Sequence, residues 1–171
     1  MDTPLAAVAD KRCFPPLADA DTRLLILGSL PGDASLAAGQ YYAHPRNQFW
    51  RLLGELLRQE LHSLPYPEKL AELQAAGIGL WDVVAEARRR GSLDADLRDV
   101  RHNDLARLVG SLPRLRAVAF NGATAAKAAP RLAGLGLEWV ALPSSSPAHT
   151  QAFAAKLAVW RQLDRYLHFQ A

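Results

Sequence analysis

Residues 23–50 read RLLILGSLPGDASLAAGQYYAHPRNQFW, and the fold class turns on how this stretch changes character. The apolar run Leu24-Leu25-Ile26-Leu27 stops abruptly at Gly28-Ser29-Leu30-Pro31-Gly32. A short, uninterrupted apolar run bounded by Gly and Pro reads as a parallel strand buried on both faces. After the turn come Tyr41-Tyr42-Ala43-His44-Pro45-Arg46-Asn47, and a helical pattern opens at Gln48. Ligands of open parallel sheets bind beyond the carboxyl ends of the strands. A strand leading into two Tyr, a His, an Arg and an Asn therefore reads as one wall of a binding site.

Working outward, the same pattern recurs twice. Leu115–Phe120 is a second strand, ended by Asn121-Gly122, and Leu137–Leu142 a third, followed by the turn-rich Pro143-Ser144-Ser145-Ser146-Pro147-Ala148-His149-Thr150. Between them, Gln48–Leu61 has helical spacing, with Phe49, Leu52, Leu53, Leu56 and Leu57 on one face. Glu68–Ala76 is a second helix closed by Gly77, and residues 78–84 form a short strand or an extended turn. Arg88-Arg89-Arg90 reads as an exposed basic corner, with DNA contact as its alternative. Further helices are expected from Asn103-Asp104 to about Val109, over 123–129, and over Gln151–His168. Strands alternating with helices imply an α/β fold with a mostly parallel sheet covered on both faces. Residues 1–20 read as a loosely packed lead-in and 21–171 as one domain. Phe49, Trp50, Trp81, Trp139 and Trp160 are expected in the core or at its edge.

The totals narrow the class. A chain of 171 residues, half of them apolar and 22% charged, is globular in composition and large enough for a substantial core. No apolar stretch approaches the roughly 20 residues of a membrane span, so no membrane association and a cytoplasmic protein are expected. The single cysteine, Cys13, excludes an internal disulfide and any Cys-rich metal site built by this chain alone. The net charge of +3 comes mostly from Arg, whose planar fork suits phosphate. Such a charge is compatible with nucleic acid without pointing to it.

The opening stretch also resembles motif 1 of the uracil-DNA glycosylase superfamily, whose mismatch-specific branch carries a G-x-N-P-G turn and then A-H-P-x-N-x-F-W. Gly28, Pro31, Gly32 and Ala43-His44-Pro45-Arg46-Asn47-Gln48-Phe49-Trp50 match at the same spacing without a gap. Leu30 departs, since most branches carry there a polar residue that acts on the sugar or on water. That departure resembles the hypoxanthine-DNA glycosylase branch, in which the Asn of H-P-x-N is the important polar residue. The serine-rich loop is similar to the family's second motif, which enters the duplex and grips phosphate. The resemblance implies a three-layer α/β/α fold with a small, mostly parallel four-stranded sheet. It also implies a base pocket at the carboxyl edge of that sheet.

These readings assign candidate roles. The three polar clusters would converge on one crevice at one sheet edge. A base inside a duplex must be extruded, stacked and read along its edge. Tyr42 aligns with the family's stacking platform, and Asn121 offers an amide that can accept from N1–H and donate to O6 of hypoxanthine. Gly28, Leu30 and Pro31 would line the base, with backbone N–H groups around Ser29 donating to it. Asn47, Ser29 and His44 are the catalytic candidates; Asn47 could equally cap the helix at Gln48, and Asn121-Gly122 could be only a turn. Arg46, Ser144, Ser145, Ser146 and His149 are the candidate DNA contacts. Asp82, at a probable strand end, belongs to the site or braces a loop. The expected partner is double-stranded DNA with a damaged base, bound by a monomer needing no metal or cofactor. No Lys lies in the three motif segments, so an imine mechanism is not suggested. Two rivals remain: a uracil or G:T/U mismatch glycosylase, and a non-catalytic binder of damaged DNA. A small-molecule hydrolase lacks its G-x-S-x-G elbow.

Overall fold

A computed structural model describes residues 9–167. In chain order these form β1 (Ala9–Arg12), β2 (Leu24–Gly28), α1 (Asp33–Ala38), α2 (Phe49–Leu57) and α3 (Tyr66–Ala75). Then come β3 (Ile78–Asp82), β4 (Val84–Arg89), β5 (Arg98–His102), α4 (Leu105–Gly110) and β6 (Ala117–Asn121). The chain closes with α5 (Ala123–Ala126), β7 (Glu138–Leu142) and α6 (Phe153–Trp160), the last prolonged by a 3₁₀ segment, Arg161–Tyr166. The N-terminal part of the expected lead-in, residues 1–8, and His168 at the expected end of the last helix lie outside the described residues.

Four strands form the expected parallel sheet in the order β3-β2-β6-β7. β2 is central, and all five of its residues are buried because both its faces are covered. Alternate residues of the sheet feed two separate cores. Leu24 and Ile26 pack with Phe49, Leu52 and Leu53 of α2 and with Trp160, whereas Leu25 and Leu27 pack with Val84, Val109, Val118 and Phe120. The result is a three-layer α/β/α arrangement. Each fully buried Leu or Phe contributes about 1.5–3 kcal/mol, so α2, with an apolar face seated in the first core, is the main clamp on that side.

Several elements differ from the sequence reading. Residues 9–12, expected in a loose lead-in, are a strand that pairs antiparallel with β4; β5 completes this small second sheet. Leu17 also bridges to Leu80, so residues 9–20 are pinned to the fold. Arg88–Arg90 is not simply an exposed corner, because Arg89 is fully buried. Charge runs read as solvated faces only when the strand period is ignored: on β4 Ala87 and Arg89 turn inward and Arg88 between them turns out. β5 escaped notice because all five of its residues are exposed, leaving no apolar alternation to read. Trp139, expected in the core or at its edge, is 61% exposed; β7 is an edge strand, and the Trp139 and Phe120 rings meet in an edge-type arrangement with centroids 6.3 Å apart. No helix among the described residues is long and apolar enough to cross a membrane.

Candidate active site

Parallel strands in register deliver their last residues to one edge. Gly28 of β2 lies opposite Asp82 of β3, and Leu27 lies opposite Phe120, the neighbour of Asn121 on β6. Beyond this edge lies a cavity of about 320 Å³, at the lower end of the size range for small-molecule sites. Glycine is required at position 28 by close approach: a Cβ there would sit 2.6 Å from Asp82 Oδ1 and 3.0 Å from the Tyr42 hydroxyl. The turn after β2 is held from outside. Ser29 Oγ donates to Asp94 Oδ1 (2.7 Å), and the buried Arg89 donates from Nη2 to the Pro31 carbonyl (2.6 Å) and from Nε to the Gly91 carbonyl (2.7 Å). Ser92 Oγ accepts from the Asp33 N–H at 2.9 Å. The loop after β4 is thus tied to the motif turn, and Ser92, Leu93 and Asp94 line the cavity.

Tyr42 occupies the left-handed region at φ 55°, a conformation that costs a non-glycine residue about 1–3 kcal/mol and is typical of functional sites. Its ring stacks on Phe49 with centroids 3.8 Å apart and planes inclined by 17°, which leaves the opposite face for a planar ligand. Its hydroxyl is enclosed beside Asn121 without meeting it in hydrogen-bond geometry, and burial, then Asp82, hold it above the ordinary phenol range. Tyr41 serves packing: its hydroxyl donates to the Pro15 carbonyl and its own carbonyl accepts from Trp50 Nε1.

Asn47 does two things with two ends of one amide. Oδ1 accepts from the Phe49 N–H at 2.9 Å and so caps the start of α2, while the side chain lines the cavity with Nδ2 still available. His44 Nδ1 accepts from the Arg46 N–H at 3.0 Å, so His44 faces the cavity and braces the tight turn at once. Arg46 itself is exposed and outside the cavity lining.

Asn121 is engaged at both ends of its amide. Oδ1 accepts from the Ser145 N–H and Nδ2 donates to Ser145 Oγ, both at 2.9 Å, and Ser145 is almost completely buried. Its amide holds the serine loop against the end of β6, and it lines the cavity with one N–H and one Oδ1 lone pair beyond these two bonds. Gly122 allows this approach, since its φ is 102° and a Cβ would sit 3.1 Å from Ser144 Cβ. Within the loop, Ser144 Oγ accepts from the Ser146 N–H and Ser146 Oγ from the Ala148 N–H. His149 faces the cavity rim, with Nε2 3.2 Å from Gln151 Oε1. Leu30 lines the cavity but is anchored in the second core.

The polar group that the sequence left undecided is Asp82. It is 3% exposed, lines the cavity floor, and its Oδ2 is enclosed with no hydrogen-bond partner among the described residues. Burial, reinforced by Asp94 and opposed by Arg89, raises its carboxyl to about 7. Its backbone carbonyl accepts from Asn103 Nδ2 at 2.7 Å, which fixes the strand end. Nothing in the sequence flagged Asp94; the signal available was a Ser-x-Asp turn just past a basic strand, which is too common to single out.

The sequence model of the Uracil DNA glycosylase superfamily matches residues 15–167. The chain belongs to the uracil DNA glycosylase superfamily. Within the superfamily it is similar to a protein of Methanosarcina acetivorans named Hypoxanthine DNA glycosylase, at 41% identity over 156 residues, covering 91% of this chain and 99% of the relative. A Methanosarcina barkeri protein of the same name is 40% identical over 152 residues, covering 89% and 96% of the two chains. A Methanosarcina acetivorans protein solved by solution NMR superposes with a TM-score of 0.84 at 41% identity, covering 92% of this chain and 98% of that one. Residues of the loop after β2 and of the serine loop after β7 line the same cavity.

Proposed function

We propose that this protein is a monofunctional hypoxanthine DNA glycosylase that acts on deoxyinosine in DNA. The observation carrying this reading is near full-length identity of about two residues in five to two proteins of that name. The cavity makes the chemistry physically sensible. Hydrolysis breaks the C1′–N9 bond, adds water at C1′, and lets the base leave with the electron pair and then a proton. Positive charge grows on the sugar and negative charge on the base, so preorganised donors around the base lower the barrier.

An extruded hypoxanthine stacks on the open face of Tyr42. The turn at Gly28–Leu30 brings backbone N–H groups to the rim, and Asn47 Nδ2 donates to the base or holds water near C1′. Leu30 supplies apolar wall only, consistent with a purine substrate whose departure is helped by hydrogen bonds to N7 or N3. No lysine lines the cavity, in keeping with hydrolysis rather than an imine with strand cleavage. The Ser144–Ser146 loop offers hydroxyls and N–H groups to phosphate beside the lesion. Single-turnover base release from duplexes containing inosine, uracil or a G:T mismatch tests the reading. Inosine is expected to react fastest; a faster uracil or thymine substrate would move the protein to the mismatch or uracil type.

A further inference from the structure

Two polar atoms enclosed at the site, Asp82 Oδ2 and the Tyr42 hydroxyl, have no hydrogen-bond partner among the described residues. Asn121 bonds Ser145 through both ends of its amide, Asn47 Oδ1 accepts from the start of α2, and Ser29 donates to Asp94. Of the two unpartnered groups, Asp82 is the carboxyl, 3% exposed and lining the cavity. A buried polar atom left unpaired costs stability, so its retention calls for a ligand or a function. Its position supplies one. Asp82 Oδ1 and the Tyr42 hydroxyl both lie against Gly28, which places the carboxyl near the hydroxyl end of the ring on which a base would stack.

We propose that Asp82, as a neutral carboxylic acid, reads the edge of the flipped base. This rests on the glycosylase reading above. Its carbonyl oxygen accepts from N1–H of hypoxanthine and its O–H donates to O6, a closed pair of hydrogen bonds. The donated bond strengthens as negative charge spreads onto the departing base, so Asp82 both orients the base and stabilises the transition state. An ionised carboxylate would still accept from N1–H but would repel O6 and the developing anion. Burial and the nearby Asp94 both favour the neutral form, keeping the acid protonated up to about pH 7, while Arg89 works in the other direction. The other titratable groups around it are Tyr41, Tyr42 and Cys13, with His44 and His149 elsewhere on the cavity wall.

The test is single-turnover release of hypoxanthine from an inosine duplex between pH 5.5 and 9 by wild type, Asp82→Asn and Asp82→Leu. Wild type is expected to slow by about tenfold per unit above pH 7, as loss of one essential proton requires. Asp82→Asn keeps one donor and one acceptor that cannot ionise; it is expected to stay within about tenfold of wild type at pH 6.5 and to lose the alkaline decline. Asp82→Leu is expected to bind the duplex yet lose about 100-fold or more in rate. An Asn variant with the same alkaline decline assigns that decline to another group and overturns the proposal. So does a folded Leu variant within threefold of wild type. If wild type frees no base at any pH, the glycosylase reading itself fails and takes this inference with it.

Discussion

β3 and β6 flank the same central strand, and each ends in a buried polar residue at the cavity, Asp82 on one side and Asn121 on the other. Their surroundings differ. Asn121 is paired at both ends of its amide with Ser145, so the β6 side of the site is a closed structural joint. Asp82 lines the cavity, and its enclosed Oδ2 has no hydrogen-bond partner among the described residues. Position at a strand end brings both residues to the cavity, and hydrogen-bond accounting sets them apart: both ends of the Asn121 amide have partners there and Asp82 Oδ2 has none.

The contrast can be broken most severely at Gly28. Gly28→Ala places a methyl 2.6 Å from Asp82 Oδ1, so carboxyl and Tyr42 must both move. Displacement on the order of 1 Å at a reacting site costs about 100-fold, and base release should fall by at least that much, read by single-turnover kinetics. Asn47→Ala comes next. Removing one preorganised donor should slow release by about 100-fold, while loss of the cap on α2 costs about 0.5–2 kcal/mol in denaturant unfolding. A loss below threefold would leave Asn47 as a helix cap alone.

Asn121→Ala tests the closed side. It leaves the buried Ser145 N–H unpaired, at about 1–3 kcal/mol of stability. Its rate should fall through a loosened loop while the ranking of inosine, uracil and thymine duplexes stays unchanged. An altered ranking would return the reader's role to β6. Asp82→Asn sharpens the β3 side through stability. With its folded-state pKa raised from 3.8 to about 7, Asp82 binds its proton more tightly folded than unfolded. Its stabilisation is complete below about pH 4 and is lost as pH rises toward 7. The melting temperature of Asp82→Asn relative to wild type should therefore rise between pH 4 and pH 8. The smallest effect belongs to the exposed Arg46: Arg46→Ala should reduce the salt dependence of DNA binding by about one charge and leave base preference unchanged.

Much of this architecture was legible in the sequence because buried strands leave a local mark. Leu24–Leu27 and Ala117–Phe120 are continuous apolar runs ended by Gly or Asn-Gly, and the parallel sheet follows from them. β1 and β5, which flank β4 in the second sheet, consist of mostly polar residues with no period to read. The burial of Arg89 was hidden for the same reason. Within the site, Tyr42, Asn47 and the serine loop were readable because motif spacing carries them. The choice between Asn121 and Asp82 was not, since it depends on which side chain Ser145 reaches across the loop.

The most direct measurement is chromatographic detection of free hypoxanthine after incubating an inosine-containing duplex with excess protein. The account predicts release of hypoxanthine and an abasic site in an uncut strand that breaks only on later alkaline treatment. Tight binding to the duplex with no free base, even after prolonged incubation, would contradict it.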